Sequence, residues 1–410
     1  MAPADWTWII YLAGDNNLEG AGDDDLKEMQ EVGSSDRLNV IVQFDTEVKG
    51  TTRYRVEKGS LATIEKMPGV DTGDPKVLTQ FISWAINKYP ARRYLVDIWN
   101  HGGGWENLPP DFNYEELKTA KPVRAARLKR LKRAVFRTTV EQILKRPAIP
   151  NGARSRAVAI DTGSHDYLDN QELKHALTKG FGPMAKADIL GCDACLMNML
   201  EIAYEVRTTT PYMVGSEQSE PNAGWPYAAI FKKLAAKPDM APADLAKTIA
   251  VEYGAWYKQH GTQDDGSATQ SALDLSKLKN VVQAVDDLAR ALMAELPAVA
   301  GAVSVAKTGT QKFEYPEYID LGSFAKQLEK KLPADSKAKA PAAAVLKAVG
   351  SDGSGFVMAN TTWGNAVRGA TGVSIYFPQP EEYSPDYDSL ELSRDGKWMP
   401  FLKAFNKAVQ

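Results

Sequence analysis

In the first half of this 410-residue chain, short runs rich in β-branched and aromatic residues alternate with longer helical stretches. The runs are Trp6–Leu12, Leu38–Phe44, Arg53–Val56, Tyr94–Trp99, Ala157–Ile160, Ile189–Cys192 and Tyr212–Gly215. Several are almost continuously apolar, the pattern of strands covered on both faces. Helical spacing marks Leu18–Val32, Pro75–Lys88, Asn170–Thr178, Leu196–Val206 and Pro242–His260. The last opens on a proline, which suits a first helical position because the N–H it lacks would be unpaired there. Such alternation points to an α/β fold, a three-layer αβα sandwich around a mostly parallel sheet. Ligand sites in these folds gather at the carboxyl ends of the strands.

The second half opens with a strand at Ala268–Leu275 and a long helix from Leu278 to Leu296. A Lys/Ala/Pro-rich stretch follows at Lys330–Pro341, then strands near Gly355–Asn360 and Gly372–Phe377, the latter stopped by Pro378. We therefore expect a core over 1–275 and a C-terminal α/β subdomain over 276–410 packed on it. A basic insert at 106–152, bounded by Pro109-Pro110 and Pro147-Ala148-Ile149-Pro150, interrupts the core. Nine basic residues and no acidic one lie between 118 and 137: Lys118, Lys121, Arg124, Arg127, Lys129, Arg130, Lys132, Arg133 and Arg137. Lys145 and Arg146 follow, and apolar residues at helical spacing over Val123–Leu144 suggest an amphipathic helix.

Composition narrows the classes of function. A net charge of −3 and a pI near 6.0 give no general pull toward nucleic acid or membrane. No run approaches the roughly 20 apolar residues that span a bilayer. The start, Met1-Ala2-Pro3-Ala4-Asp5-Trp6, lacks the basic n-region of a secretory leader. A cytoplasmic location is expected, secretion requiring a leader upstream. No long heptad suggests obligate assembly, so a monomer is expected.

Two strand ends carry the chemistry. Cys195 follows Ile189-Leu190-Gly191-Cys192-Asp193-Ala194, and His101 follows Tyr94-Leu95-Val96-Asp97-Ile98-Trp99-Asn100 and precedes Gly102-Gly103-Gly104. A thiol attacks a carbonyl as its thiolate, so it needs a base and a positive environment. His101 supplies the base, and a helix beginning directly after Cys195 would turn its positive end toward the sulfur. The N–H groups of Cys195 and of Gly102 or Gly103 are the natural oxyanion donors. Cys192 and Cys195 also have Cys-x-x-Cys spacing, leaving a redox reading open. A zinc site would need further soft ligands, and the chain has only 2 cysteines. A third reading is a non-catalytic protein using the basic insert to bind a partner. His165, His175 and His260 lie in polar contexts and read as surface histidines.

Five blocks in order resemble the clostripain-like cysteine peptidases of the caspase-like group. They are Trp6–Glu19 with its Asp15-Asn16-Asn17-Leu18-Glu19 turn, Asn100–Trp105, Asp193–Met197 followed by Glu201-x-Ala203-Tyr204-Glu205, Ser216–Tyr227, and Gly372–Pro378. The resemblance implies a caspase-like sandwich, a catalytic dyad of His101 and Cys195, and hydrolysis of peptide or protein substrates through a thioester. It also implies cleavage after Arg or Lys, with Asp193 as the specificity carboxylate. As an alternative, Asp193 caps the following helix. Ser216, Glu217, Glu220 and Trp225 lie in the segment expected to complete the substrate pocket. Relatives are commonly zymogens cut between the histidine and the cysteine, which suits processing within 118–146 by the enzyme itself or by an upstream protease. Some relatives need calcium. Asp23-Asp24-Asp25 lacks the spacing of a calcium loop and reads as an acidic helix start, so no cofactor is assigned.

Overall fold

The computed structural model describes residues 3–105, 158–161, 164, 166–183, 185–262 and 266–410. The basic insert, with the helix expected at Val123–Leu144, the processing candidates Lys118 to Arg146, and His165, lies outside the described residues.

Among the described residues, nine strands form one sheet in the order β12-β10-β9-β8-β5-β1-β2-β3-β4. Its parallel centre is β2 (Leu38–Thr46), β1 (Ala4–Ala13), β5 (Ala91–Trp99), β8 (Ile189–Asp193) and β9 (Tyr212–Gly215). Antiparallel strands flank it, β3 (Gly50–Glu57) and β4 (Ser60–Met67) on one side, β10 (Ala268–Asp274) and β12 (Val357–Trp363) on the other. Strand order reverses between β1 and β5, which opens a crevice at their carboxyl ends.

β1 shows why the sheet is covered twice. Successive side chains point to opposite faces, and every residue of the strand is buried. Trp6, Trp8, Ile10 and Leu12 pack with Leu26 and Met29 of helix α1 (Glu19–Gln30) and with Ile230, Phe231 and Ile249 of two later helices. Ile9, Tyr11 and Ala13 pack with Leu78, Phe81 and Ile82 of helix α2 (Pro75–Lys88) and with Leu173 and Leu177. Each large apolar side chain so covered contributes roughly 1.5–3 kcal/mol. The αβα sandwich is therefore present as its alternating runs imply.

Three differences from the sequence reading have physical causes. The run at 157–160 is a strand, β6 (Val158–Asp161), but it pairs with β7 (Asp166–Leu168) outside the main sheet. β4 gives little signal because it is a half-exposed edge strand with mixed polarity. The boundary at 275 does not separate two cores. β12 belongs to the main sheet, and one apolar cluster runs from Ile9 to Phe405. The C-terminal half instead clamps the loops of the first. Ser374 N–H donates to Asn198 O at 3.0 Å, and Tyr318 Oη–H donates to Gly103 O at 2.9 Å.

Glu201 sits in this junction, on the helix Leu200–Val206, fully buried. Its Oε1 accepts from Tyr376 N–H at 2.9 Å and Tyr387 Oη–H at 2.8 Å. Burial pushes its carboxyl from 4.5 up to about 7. A raised acid holds its proton in the fold, so its penalty grows as pH rises from the unfolded value to the folded one. Glu201→Gln should accordingly flatten the fall in melting temperature between pH 5 and 8. Parallel curves for variant and wild type in thermal scans would contradict this.

Candidate active site

Register brings the key residues together. Trp99 of β5 lies opposite Asp193 of β8 and Leu12 of β1, so the three loops leave the sheet side by side. Asn100 then ties all three. Its Nδ2–H donates to Ala13 O at 2.5 Å, and its N–H donates to Asp193 O at 3.2 Å. Its Oδ1 accepts the N–H of His101.

Gly102 lies against the peptide of Cys195. A methyl group there would fall 2.3 Å from Cys195 O and 3.1 Å from Cys195 N, so no larger residue fits without moving the loop. Beyond Cys195 the chain turns sharply, with Leu196 at φ 63°. That left-handed conformation is costly for leucine, on the order of 1–3 kcal/mol. It is held by full burial of the side chain and by donation of Leu196 N–H to Gln218 O at 3.2 Å. The helix expected to start at Leu196 begins only at Leu200, so its positive end is a turn away from the sulfur. The Glu220 N–H takes that place, donating to Cys195 Sγ at 3.2 Å. A donor aimed at sulfur favours the thiolate.

His101 is buried, and Nε2 lies 2.8 Å from Asn17 Oδ1 in the loop after β1. An amide oxygen only accepts, so Nε2 carries the proton and Nδ1 keeps its lone pair. Burial lowers the imidazole from 6.5 to about 4, which keeps it neutral near neutral pH.

Behind Cys195 lies a buried group of acids. Asp193 Oδ2 accepts from Trp225 N–H at 3.2 Å and from Tyr227 Oη–H at 3.0 Å. It therefore does not cap the following helix. Burial raises the carboxyls of both Asp193 and Glu220, and the neighbouring Asp193 charge raises Glu220 further. Asp97 Oδ2 accepts from Trp8 Nε1–H at 3.2 Å and, 3.2 Å from Tyr227 Oη, shares that hydroxyl's one proton with Asp193, while Asp25 accepts from Trp99 Nε1–H at 2.7 Å. Burial, then the Asp193 charge, pushes Asp97 up to about 8, and the same two causes raise Asp25. Among the described residues, none of these four acids forms an ion pair with a lysine or arginine.

The other candidates divide. Trp225 is fully buried beside Asp193, and its Nε1 has no hydrogen-bond partner among the described residues. Ser216 bonds Thr269 and Gln218 O instead and braces the loop. Glu217 turns away to Gly372 N–H, at 3.0 Å, and to Asp320, so it fastens the C-terminal half and does not join the acids behind Cys195. His175 and His260 are exposed, as their contexts imply. Asp25, read as part of an acidic helix start, points inward. Sequence reasoning missed Asn17, Asn100 and Asp97 as parts of the site. Asp97 carried the clearest signal, an acid inside the apolar run Leu95–Trp99, where an unpaired charge is costly.

Comparison with known proteins decides the class of this arrangement. The family model of the clostripain family matches residues 10–113 and 149–405. The chain belongs to the clostripain family. Clostripain of Hathewaya histolytica is 24% identical over 459 residues, covering 94% of this chain and 77% of that protein. In fold it is similar to a secreted C11 cysteine protease of Bacteroides thetaiotaomicron, "iotapain", with TM-score 0.66 and 16% identity over 96% of this chain and 100% of that one. An inactive zymogen C11 protease of Parabacteroides distasonis is similar at TM-score 0.63 and 20% identity, covering 97% and 99%. This clostripain-family chain is thus a cysteine endopeptidase acting on peptide or protein substrates.

The redox reading falls with the geometry. Cys192 is fully inside β8, and burial raises its thiol well above the usual range, followed by the charges of Asp97, Glu220 and Asp193. Cys195 is half-buried, and the two cysteines are not joined in a disulfide. Iodoacetamide should therefore alkylate Cys195 in the native protein and leave Cys192 unmodified until denaturant is added. Comparable native labelling of both, read by peptide mass mapping, would contradict the assignment.

Proposed function

We propose that Cys195 is the nucleophile and His101 the general base of this peptidase, and that it cleaves after arginine or lysine. His101 Nδ1 takes the thiol proton as Sγ attacks the scissile carbonyl carbon. The N–H groups of Cys195 and Gly102 then hold the oxyanion, each such donor being worth about 10²–10³ in rate. The imidazolium returns its proton to the leaving amine, and the acyl group remains on sulfur as a thioester. Water, deprotonated by the same imidazole, releases the acid and restores the thiol. Asn17 and Asn100 act as positioning residues. They fix the ring's tautomer and the separation of the two loops.

The observation that carries the specificity is the buried, uncompensated acid group of Asp193, Glu220, Asp97 and Asp25. Unpaired buried charge is costly, so without substrate the group holds protons. A guanidinium or ammonium at P1 supplies the missing charge, and a planar guanidinium fits a carboxylate pair with two parallel bonds. Selectivity for basic P1 is then linked to pH. These carboxyls, Asp97 at about 8 among them, must lose protons to meet the cation. Between pH 5 and 8, kcat/KM should rise more steeply for an Arg substrate than for a Leu substrate. Asp193→Asn should reduce kcat/KM for Arg by about 10²-fold or more, the scale of removing one partner of a buried charge pair, while Cys195→Ala abolishes all turnover. Equal use of Arg, Lys, Asp and Leu at P1 would defeat the specificity reading. Turnover by Cys195→Ala would defeat the mechanism.

Activation by cleavage within the basic segment, between Lys118 and Arg146, is the second part of the reading. Its support is the run of Lys and Arg, which an Arg/Lys-specific enzyme cuts. A protease of similar fold from Parabacteroides distasonis is described as an inactive zymogen. Wild-type protein should appear as two fragments on a denaturing gel, and purified Cys195→Ala as one. A clipped Cys195→Ala would assign the cut to another protease.

A further inference from the structure

The loop 216–220 holds the turn that carries Cys195. Gln218 O accepts from Leu196 N–H at 3.2 Å, Ser216 O accepts from Asn198 N–H at 2.9 Å, and Glu220 N–H donates to Cys195 Sγ at 3.2 Å. The loop is in turn held from the C-terminal half. Gln218 Oε1 accepts from Glu314 N–H at 2.9 Å, and Glu217 Oε2 accepts from Gly372 N–H at 3.0 Å. Gly372 also reaches the Cys195 turn directly, its carbonyl accepting from Asn198 Nδ2–H at 2.8 Å. With φ at 108°, and a methyl group there falling 2.7 Å from Val357 Cγ1, that position is restricted to glycine.

Glu217 meets a second acid at this junction. Asp320 caps the helix Leu321–Lys331, its Oδ1 accepting from Ser323 N–H at 2.6 Å and Thr371 Oγ1–H at 2.8 Å, and its Oδ2 from Thr371 N–H. The successive amides of Thr371 and Gly372 thus hold one oxygen of Asp320 and one of Glu217. Both acids are buried, and among the described residues neither pairs with a lysine or arginine. Their surroundings are unequal. Asp320 has three donors and a helix N-terminus, which suit an anion. Burial raises it, and these bonds oppose the rise. Glu217 has the one bond from Gly372, and its Oε1 is buried with no hydrogen-bond partner among the described residues. Burial, then the Asp320 charge, raises its carboxyl well above the usual range, and among the described residues no other charged group bears on it. Two adjacent buried charges without a cation are costly, so Glu217 is the acid that keeps its proton.

We propose that Glu217 is a positioning residue for Cys195, a neutral acid that clasps the loop 216–220 to the C-terminal half. The proposal rests on Cys195 as the nucleophile. In the acid form Glu217 keeps its bond from Gly372 and offers an O–H to Asp320, so the loop stays where its carbonyls fix Leu196 and Asn198. Ionisation sets a second negative charge beside Asp320 with a single N–H to offset it. The loop then loosens, and with it the Glu220 N–H that favours the thiolate. Activity is therefore lost as pH rises through the Glu217 value, the reverse of the gain expected from the acids behind Cys195.

Infrared difference spectra and steady-state kinetics on the full chain test this. In a Cys195→Ala background at neutral pH, Glu217→Gln should remove one carboxylic-acid carbonyl band. In active protein, wild type should lose kcat reversibly, by about tenfold or more, as pH is raised above neutral. Glu217→Gln keeps an acceptor for Gly372 and a donor for Asp320, and should hold its kcat over that range. Glu217→Asp, whose carboxyl falls short by a methylene, should lower kcat at neutral pH by about tenfold with KM within about twofold, and should slow iodoacetamide labelling of Cys195. Thermal scans establish that each variant is folded. No band lost in Glu217→Gln, an alkaline loss identical in that variant and wild type, or a folded Glu217→Asp with wild-type kcat would each overturn the clasp. If Glu217→Asp does not fold, the two Glu217→Gln measurements carry the test. The infrared band does not depend on turnover, so it survives a failure of Cys195 as nucleophile and the two readings fail separately.

Discussion

Three backbone ends meet at Asn100, and the rest of the site depends on that meeting. Parallel pairing places the carboxyl ends of β1, β5 and β8 side by side, but it does not fix the loops that leave them. Asn100 does so with one amide and one N–H, reaching Ala13 on one side and Asp193 on the other. From that knot His101 takes its depth, Asn17 its distance to the imidazole, and Gly102 its contact with the peptide of Cys195. The C-terminal half closes the knot from outside through Tyr318 on Gly103 and Ser374 on Asn198.

Electrostatics supply what the framework lacks. A neutral buried imidazole and a thiol that accepts an N–H stand at neighbouring strand ends, and the helix after Cys195 starts a turn away from the sulfur. Among the described residues, the acids behind them have no lysine or arginine partner, a cost that protons or an arriving positive charge can offset. Glu220 links these acids to Cys195, its N–H on the sulfur and its carboxyl beside Asp193.

Much of this was legible in the sequence because continuous apolar runs can be satisfied only by a doubly covered sheet, and such a sheet sends its strand ends to one edge. His101, Gly102 and Cys195 were readable for that reason, as were the helices at Pro75–Lys88 and Pro242–His260, which start on prolines. What stayed hidden was set by long-range pairing. The return of β12 to the sheet depends on β10, not on local pattern. The inward turn of Asp25 depends on Trp99, and the diversion of Glu217 depends on Gly372 and Asp320. The irregular stretch from Leu196 to Met199 looked helical because Leu196, Met197 and Met199 are apolar and lead straight into the helix that follows. Bonds to Gln218 and Ser216 override that preference.

The measurement that bears most directly on the central claim is covalent labelling by a peptidyl ketone with arginine at P1, followed by intact mass and peptide mapping. The account predicts a single adduct on Cys195, forming faster than with a leucine ketone, and loss of that preference in Asp193→Asn. An adduct on Cys192, or equal rates for both ketones in the wild-type protein, would contradict it.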